Sequence, residues 1–99
     1  MTDKRVFKHR GEFALRQVGT ESILVPIRNH VGDLDSVYVL TSVAARMWSF
    51  FDGTNDVDFI VERICTEYDV EASVVRADLE ELVASLQTAE LISSEEAKP

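Results

Sequence analysis

The chain has 99 residues, of which 45% are hydrophobic, and a formal net charge of −8 at pH 7. A chain of this length forms one small domain with a modest core, in which a catalytic cleft is not expected. Its single cysteine excludes an internal disulfide and fits a reducing cytoplasm. No apolar run approaches the roughly 18 to 20 residues that a membrane-spanning helix needs, so no membrane association is expected.

The charge is unevenly distributed along the chain. Residues 1–16 contain five basic and two acidic side chains, a net charge of +3, so residues 17–99 carry the remaining −11. An acidic surface repels a phosphate backbone, which argues against nucleic acid as a partner. A basic or mixed-charge peptide or protein suits this surface better.

The first half of the chain predicts strands. Two apolar runs, residues 13–18 and 22–28, flank a short segment in which Gly19 supplies the positive φ of a tight turn, so they predict a hairpin. Pro26 cannot donate a ladder hydrogen bond, and it predicts a bulge or an interruption of pairing in the second strand. After a polar loop, residues 37–40 (Val-Tyr-Val-Leu) predict a third strand.

Three amphipathic helices are predicted in the second half, over residues 42–51, 56–68 and 72–89. Thr41 or Ser42 is the expected N-cap of the first helix, and Gly53 is expected in left-handed geometry at its C-terminal side. Asp56 is the expected N-cap of the second helix. The core-facing positions are Ala44, Met47, Trp48 and Phe51; Val57, Ile60, Val61, Ile64, Cys65 and Tyr68; and Val75, Leu79, Leu82, Val83 and Leu86.

These elements form a single predicted domain, residues 12–92. Residues 1–11 lack periodicity and predict a flexible basic arm, and residues 93–99 predict a flexible acidic tail. Strands followed by helices indicate the α+β class, with a three-stranded antiparallel sheet covered by three helices.

The sequence contains no recognisable catalytic or metal site. His9 and His30 do not stand at metal-ligand spacing with Cys65, and Cys65 lies on a predicted core face, where a structural thiol is expected. No glycine-rich phosphate loop is present, so no cofactor is predicted. Ser36 follows Asp35, as in acidic carrier proteins that attach phosphopantetheine, but the Val-Tyr-Val after it favours a strand. A carrier protein therefore remains only as an alternative.

The predicted third strand, residues 37–40, is the candidate binding element. It is hydrophobic and carries no lysine or proline that would guard an exposed edge. Such an edge can accept an extended peptide as an additional strand. Two other interpretations stay open, since the run also fits an inner strand or a strand that pairs in a homodimer.

Residues 37–92 also carry a family resemblance. The matching features are a strand ending in Leu40, a capped helix ending Trp-Ser-Phe-Phe-Asp-Gly, a second helix with Asp-Val-Asp-Phe-Ile-Val, the segment Thr-Glu-Tyr-Asp-Val, and a third helix closing with Leu91-Ile92. Together with the hairpin, their order and spacing resemble the PqqD-like family, also called the RiPP recognition element, over residues 12–92. Thr41 stands where the family usually has asparagine, and Glu71 stands where it has a small polar cap.

The resemblance implies a winged helix-turn-helix-like fold and a non-catalytic peptide chaperone. The leader segment of a ribosomally made precursor peptide would add as an antiparallel strand to the third strand, pack on the third helix, and be presented to a modifying enzyme, often a radical SAM protein. In the founding pathway pyrroloquinoline quinone is the product and is not bound, so no cofactor is implied. A related pathway for another peptide product is at least as well supported by this sequence.

Carried over to this chain, the resemblance places the peptide-binding residues on the third strand and the third helix. These residues are Val37, Tyr38, Val39 and Leu40 on the strand, and Arg76, Asp78, Leu79 and Val83 on the helix. Arg76 and Asp78 lie on opposite flanks of the helix, and their spacing does not decide which flank faces the peptide.

The fold resemblance also permits a DNA-binding winged helix. That alternative requires a basic recognition helix, whereas the second and third helices offer only Arg63 and Arg76 among many acidic residues.

Overall fold

A computed structural model describes residues 3–27 and 38–95 of the chain. The elements in this part are β1 (Val6–His9), β2 (Phe13–Val18), β3 (Glu21–Pro26), β4 (Tyr38–Thr41), α1 (Ser42–Ser49), β5 (Asp52–Asp56), α2 (Val57–Tyr68), α3 (Ala72–Thr88) and β6 (Ile92–Glu95). The strands form two antiparallel sheets with the orders β2-β3-β4 and β5-β1-β6. The predicted α+β class, with a three-stranded antiparallel sheet followed by three helices, is confirmed.

The predicted hairpin is formed by β2 and β3. Gly19 has a φ of 63°, as the primed turns of two-residue hairpin loops require, so the sequence-based turn is confirmed. The register is continuous from Phe13 opposite Pro26 to Val18 opposite Glu21. The predicted bulge at Pro26 is therefore wrong. Pro26 is instead the last residue of β3, where a missing N–H does not interrupt the ladder.

The second sheet lies partly where the sequence predicts flexible ends. β1 falls within residues 1–11 and pairs with β6, which begins at Ile92 and includes part of the predicted tail. Phe7 and Ile92 are only 1% and 2% exposed, so each strand contributes one side chain to the core. The predicted flexibility of the N-terminal arm and of the start of the C-terminal tail is therefore wrong, because burial of these two side chains holds both strands on the domain.

The helix starts agree with the predicted caps. The Thr41 hydroxyl accepts a hydrogen bond from the Ala44 N–H at 3.1 Å, and the Asp56 carboxylate accepts one from the Phe59 N–H at 2.8 Å. The predicted role of Gly53 in ending α1 is wrong, because the C-cap of α1 is Phe50, in a right-handed conformation. Gly53 has a φ of 88° inside β5, where the register with β1 shifts.

The core lies between the helices and the two sheets. Trp48 is 4% exposed and packs in T-shaped geometry against Phe13 and Phe51, which confirms it as a core residue. His9 stacks on the Trp48 ring with centroids 3.7 Å apart. The inner faces of all three helices meet in this core, so their outer flanks and the sheet edges remain for binding.

Candidate functional site: a strand edge beside a groove

β4 lies at an edge of its sheet. It pairs with β3 from Tyr38 opposite Leu24 to Thr41 opposite Glu21, and its other edge has no partner strand within the part of the chain that the structure describes. In an antiparallel strand every second residue directs its N–H and C=O to one side. Two of the four β4 residues therefore present backbone donors and acceptors at the open edge.

A groove of about 390 Å³ runs between α1 and α3 at the end of β4. Its apolar floor is built by Val43, Ala44, Met47 and Leu82, and its polar rim by Thr41, Asp78, Glu81 and Ser85. Thr41, the last residue of β4, is the strand residue in the lining, so the groove adjoins the end of β4. This volume is within the range of pockets that bind small ligands or several side chains.

Tyr38 connects the strand to the helix. Its side chain faces the same side of the sheet as the buried Leu24, and its hydroxyl donates a hydrogen bond to the Ser85 carbonyl at 3.2 Å. Val39 points to the opposite side and is 56% exposed. Leu40 points inward again and is buried. The alternation expected of an edge strand is therefore present along β4.

The structure separates the predicted helix residues into three groups. Asp78 lines the groove. Leu79 and Val83 are 1% and 3% exposed, belong to the core and do not line the groove. Arg76 lies on the other flank of α3 and pairs with Asp58 of α2 at 3.3 Å. Val37 lies outside the described residues.

The flank of α3 that carries Arg76 is held by charge pairs to the N-terminal segment. The Asp3 backbone N–H donates to the Asp58 carboxylate at 2.7 Å, and Arg5 pairs with both Asp3 and Glu80. The pKa of Asp58 is lowered mainly by the Asp3 N–H and further by Arg76. The pKa of Asp3 is lowered mainly by the hydrogen bond from the Arg5 guanidinium. These charges attach Asp3 and Arg5 to α2 and α3.

The groove flank of α3 is different. Among the described residues, neither Asp78 nor Glu81 has an ion-pair partner, and the groove lining contains no basic side chain. The groove thus combines an apolar floor, two carboxylates on its rim, and an adjacent strand edge. This arrangement favours an extended peptide over a small anion.

A family model described as Coenzyme PQQ synthesis protein D (PqqD) matches residues 21–92, a span that contains β3, β4, the three helices and the groove. The chain belongs to the PqqD family. No curated protein sequence matches the chain.

A solved structure similar to this PqqD-family chain is TbiB1 in complex with the TbiA(beta) leader peptide. The TM-score is 0.66 and the sequence identity is 24%, and the comparison covers 92% of this chain and 99% of the TbiB1 chain. The two proteins therefore share their fold over almost their whole length.

Sequence reasoning missed most of the groove lining. The lining residues that the sequence did not indicate as peptide-binding positions are Thr41, Val43, Ala44, Met47, Glu81, Leu82 and Ser85. On a helical wheel Asp78, Glu81, Leu82 and Ser85 form one continuous flank of α3, so the signal was present. The position of α1 opposite that flank was needed to distinguish it from the flank of Arg76.

The DNA-binding alternative is poorly supported, because α2 and α3 carry little unpaired positive charge. Arg63 pairs with Glu67 at 3.1 Å, and Arg76 pairs with Asp58. The two helices contain six carboxylates and only these two arginines. A recognition helix that contacts phosphates needs unpaired basic side chains. Ser36, the carrier-protein candidate, lies outside the described residues.

The described residues, 3–27 and 38–95, contain neither a metal-binding cluster nor a membrane-spanning helix. They contain no group of three or more histidine, cysteine, aspartate or glutamate side chains placed to hold a metal ion. Within the same residues, no helix has the length and apolar character needed to cross a membrane.

Proposed function

We propose that this PqqD-family protein binds the leader segment of a ribosomally made precursor peptide by β-strand addition at β4. The observation that carries the proposal is the open edge of β4 beside the groove between α1 and α3. Membership of the PqqD family supports it, as does the shared fold of TbiB1, which was solved with a leader peptide.

Backbone hydrogen bonds along β4 supply sequence-independent affinity, and side chains supply selectivity. Four residues of β4 offer an edge of about 13 Å. Side chains of an added strand alternate between the face of Tyr38 and Leu40 and the face of Val39. Those on the first face are directed toward α3 and the groove, and those on the second lie beside the exposed Val39.

The proposed role is presentation rather than catalysis. The leader is held by this protein while a separate modifying enzyme acts on the rest of the precursor, and a radical SAM maturase is the expected enzyme type. The product is pyrroloquinoline quinone or another modified peptide. The free thiol of Cys65 fits a reducing cytoplasm as the place of action.

The test is amide NMR of the uniformly ¹⁵N-labelled full chain. The probes are overlapping synthetic peptides that tile the short open reading frames beside its gene. We expect one peptide to shift the signals of Tyr38–Thr41 and of the α3 residues from Asp78 to Ser85, with small effects at Arg76 and Glu80. If every tiled peptide leaves β4 and α3 unshifted, the proposal is wrong.

Backbone pairing is tested by N-methylating the binding peptide at one position at a time. Along the stretch that pairs with β4, methylation should weaken binding at every second residue, because only alternate N–H groups face the edge. Equal effects at all positions would contradict strand addition.

The groove is tested with Ser85→Arg, which places a long side chain between α1 and α3. The matched control is Ala84→Arg, one residue earlier on the exposed side of α3. We expect Ser85→Arg to reduce binding strongly and Ala84→Arg to leave it unchanged. A homodimer that pairs β4 with β4 would use the same edge. Its presence would appear as a concentration-dependent mass that decreases when the peptide is added.

A further inference from the structure

We propose that the groove selects leaders in which a large apolar residue is followed or preceded, on the same face of the strand, by lysine or arginine. This inference rests on the proposed function, because it specifies the chemistry of the peptide that adds to β4. It concerns the rim carboxylates Asp78 and Glu81 together with the apolar floor beneath them.

The floor requires an apolar side chain. Met47 is buried, and Val43, Ala44 and Leu82 are partly buried, so the floor is continuous with the core. A polar side chain placed there would lose water contacts without gaining a side-chain partner, since the floor side chains are apolar. A leucine, isoleucine or aromatic residue would instead transfer its surface from water to this floor.

The rim favours positive charge. Asp78 and Glu81 stand three residues apart on α3, so their side chains are neighbours on the helix surface, with Cβ atoms about 5 to 6 Å apart. Each is exposed, and neither has an ion-pair partner among residues 3–27 and 38–95. A basic side chain of the peptide would supply the missing partner, whereas an acidic one would add a third negative charge.

Strand geometry fixes the spacing between the two selected residues. Side chains on one face of a strand recur every second residue, about 6.7 Å apart. The apolar residue and the basic residue must share the face that is directed toward α3. They are therefore separated by one or three intervening residues, and a basic residue directly adjacent to the apolar one would point away from the rim.

The test is selection of a phage-displayed random peptide library on the full chain. We expect enriched peptides to contain an apolar residue with lysine or arginine two or four positions away. A selected peptide, resynthesised with a fluorophore, is then measured by fluorescence polarisation. Replacing its basic residue with glutamate should weaken binding about three- to tenfold at low salt, since exposed ion pairs contribute modestly. The difference should shrink at high salt.

The protein-side test reverses the rim charge with Asp78→Lys/Glu81→Lys. This variant should select peptides with an acidic residue at the same position. The matched control is Glu12→Lys/Glu62→Lys, which changes the net charge equally at two exposed sites that do not line the groove. The control should select the same basic peptides as the unmodified protein.

The outcomes separate this inference from the proposed function. Peptides that bind at β4 without any charge preference would overturn the inference and leave leader binding intact. A reversed charge preference in the control variant would also overturn the inference, because the preference would then reflect the overall charge of the protein. If the library yields no peptide that shifts β4 signals, both the inference and the strand-addition proposal fail.

Discussion

The two flanks of α3 carry similar numbers of charged side chains, but only one flank pairs them with other described residues. On one flank, Arg76 pairs with Asp58, and Glu80 pairs with Arg5. On the other, Asp78 and Glu81 have no such partner among the described residues and border the groove. The first flank uses its charges to hold the N-terminal segment, and the second leaves them available to a ligand.

The comparison shows why charge content alone does not locate a binding site. Arg76 is the more conspicuous residue in the sequence, as the only basic residue of α3. Its ion-pair partners, however, come from the segment that precedes β1 and from α2. Its charge is therefore already paired, although its buried Nη1, 3.9 Å from Asp3, makes no hydrogen bond. The carboxylates on the groove flank look like ordinary solvated residues until the facing helix is known.

The largest expected effect on stability concerns the buried stripe of α3 between its two charged flanks. Leu79→Ala should lower the free energy of unfolding by about 2 to 5 kcal/mol, because Leu79 is buried and its removal leaves a cavity. Asp78→Ala, one residue earlier, should change it by less than about 0.5 kcal/mol. Urea denaturation followed by the fluorescence of Trp48 measures both. A near-neutral Leu79→Ala that also weakens peptide binding would instead make Leu79 part of the groove.

The next largest effect comes from the paired flank. Arg76→Ala should lower the free energy of unfolding by about 1 to 2 kcal/mol, because it removes packing by the arginine stem and leaves Asp58 and Asp3 close together without their shared cation. Arg76→Lys should recover part of the loss, since it restores the charge without the second donor arm. Thermal unfolding monitored by circular dichroism ranks the stabilities of the unmodified protein and the two variants. Equal stability of all three proteins would show that the pairing contributes nothing.

The hairpin and the three helices were predictable because their signals are local. Gly19 between two apolar runs defines the turn, and Thr41 and Asp56 precede stripes with helical period. β1 and β6 were not predictable, since each is four residues long and buries one main core side chain, Phe7 or Ile92. Their pairing joins segments from opposite ends of the chain, and no local sequence pattern predicts such a contact.

The candidate site was predictable in part. The open edge at residues 38–40 was indicated by an unguarded apolar run, whereas the choice of helix flank was not. Spacing on α3 places Arg76 and Asp78 symmetrically about the core stripe. Only the tertiary position of α1 shows that the Asp78 flank borders the groove. The Asp-Gly segment after α1 was misassigned for a similar reason, since Gly53 is used in β5 and not as a helix cap.

The paired flank also predicts a pH dependence. In the folded protein the pKa values of Asp3 and Asp58 lie below the ordinary value of 3.8. Their ionised forms therefore stabilise the folded state above that value, and this contribution is lost as the pH falls through the lowered pKa. Glu67, whose pKa is lowered to about 2 by hydrogen bonds from Arg46 and Arg63, adds to the same trend.

We expect the free energy of unfolding to fall as the pH is lowered below about 4. Asp58→Asn should make this dependence shallower, because one of the responsible carboxylates is removed. Asp78→Asn is the matched control on the groove flank and should follow the unmodified protein. Urea titrations at a series of pH values measure the slopes. A steeper slope for Asp58→Asn would contradict the assignment.

The smallest effect is expected from neutralising the groove flank. Asp78→Asn/Glu81→Gln should change the free energy of unfolding by no more than about 0.5 kcal/mol, with a slight increase, because two neighbouring like charges are removed from the helix surface. Arg76→Gln/Glu80→Gln on the opposite flank makes the same kind of change where the charges are paired, and it should be destabilising. Urea denaturation at low and high salt compares them. If both double variants lose stability equally, the groove carboxylates have stabilising partners after all, and they are not free to receive a basic residue from a peptide.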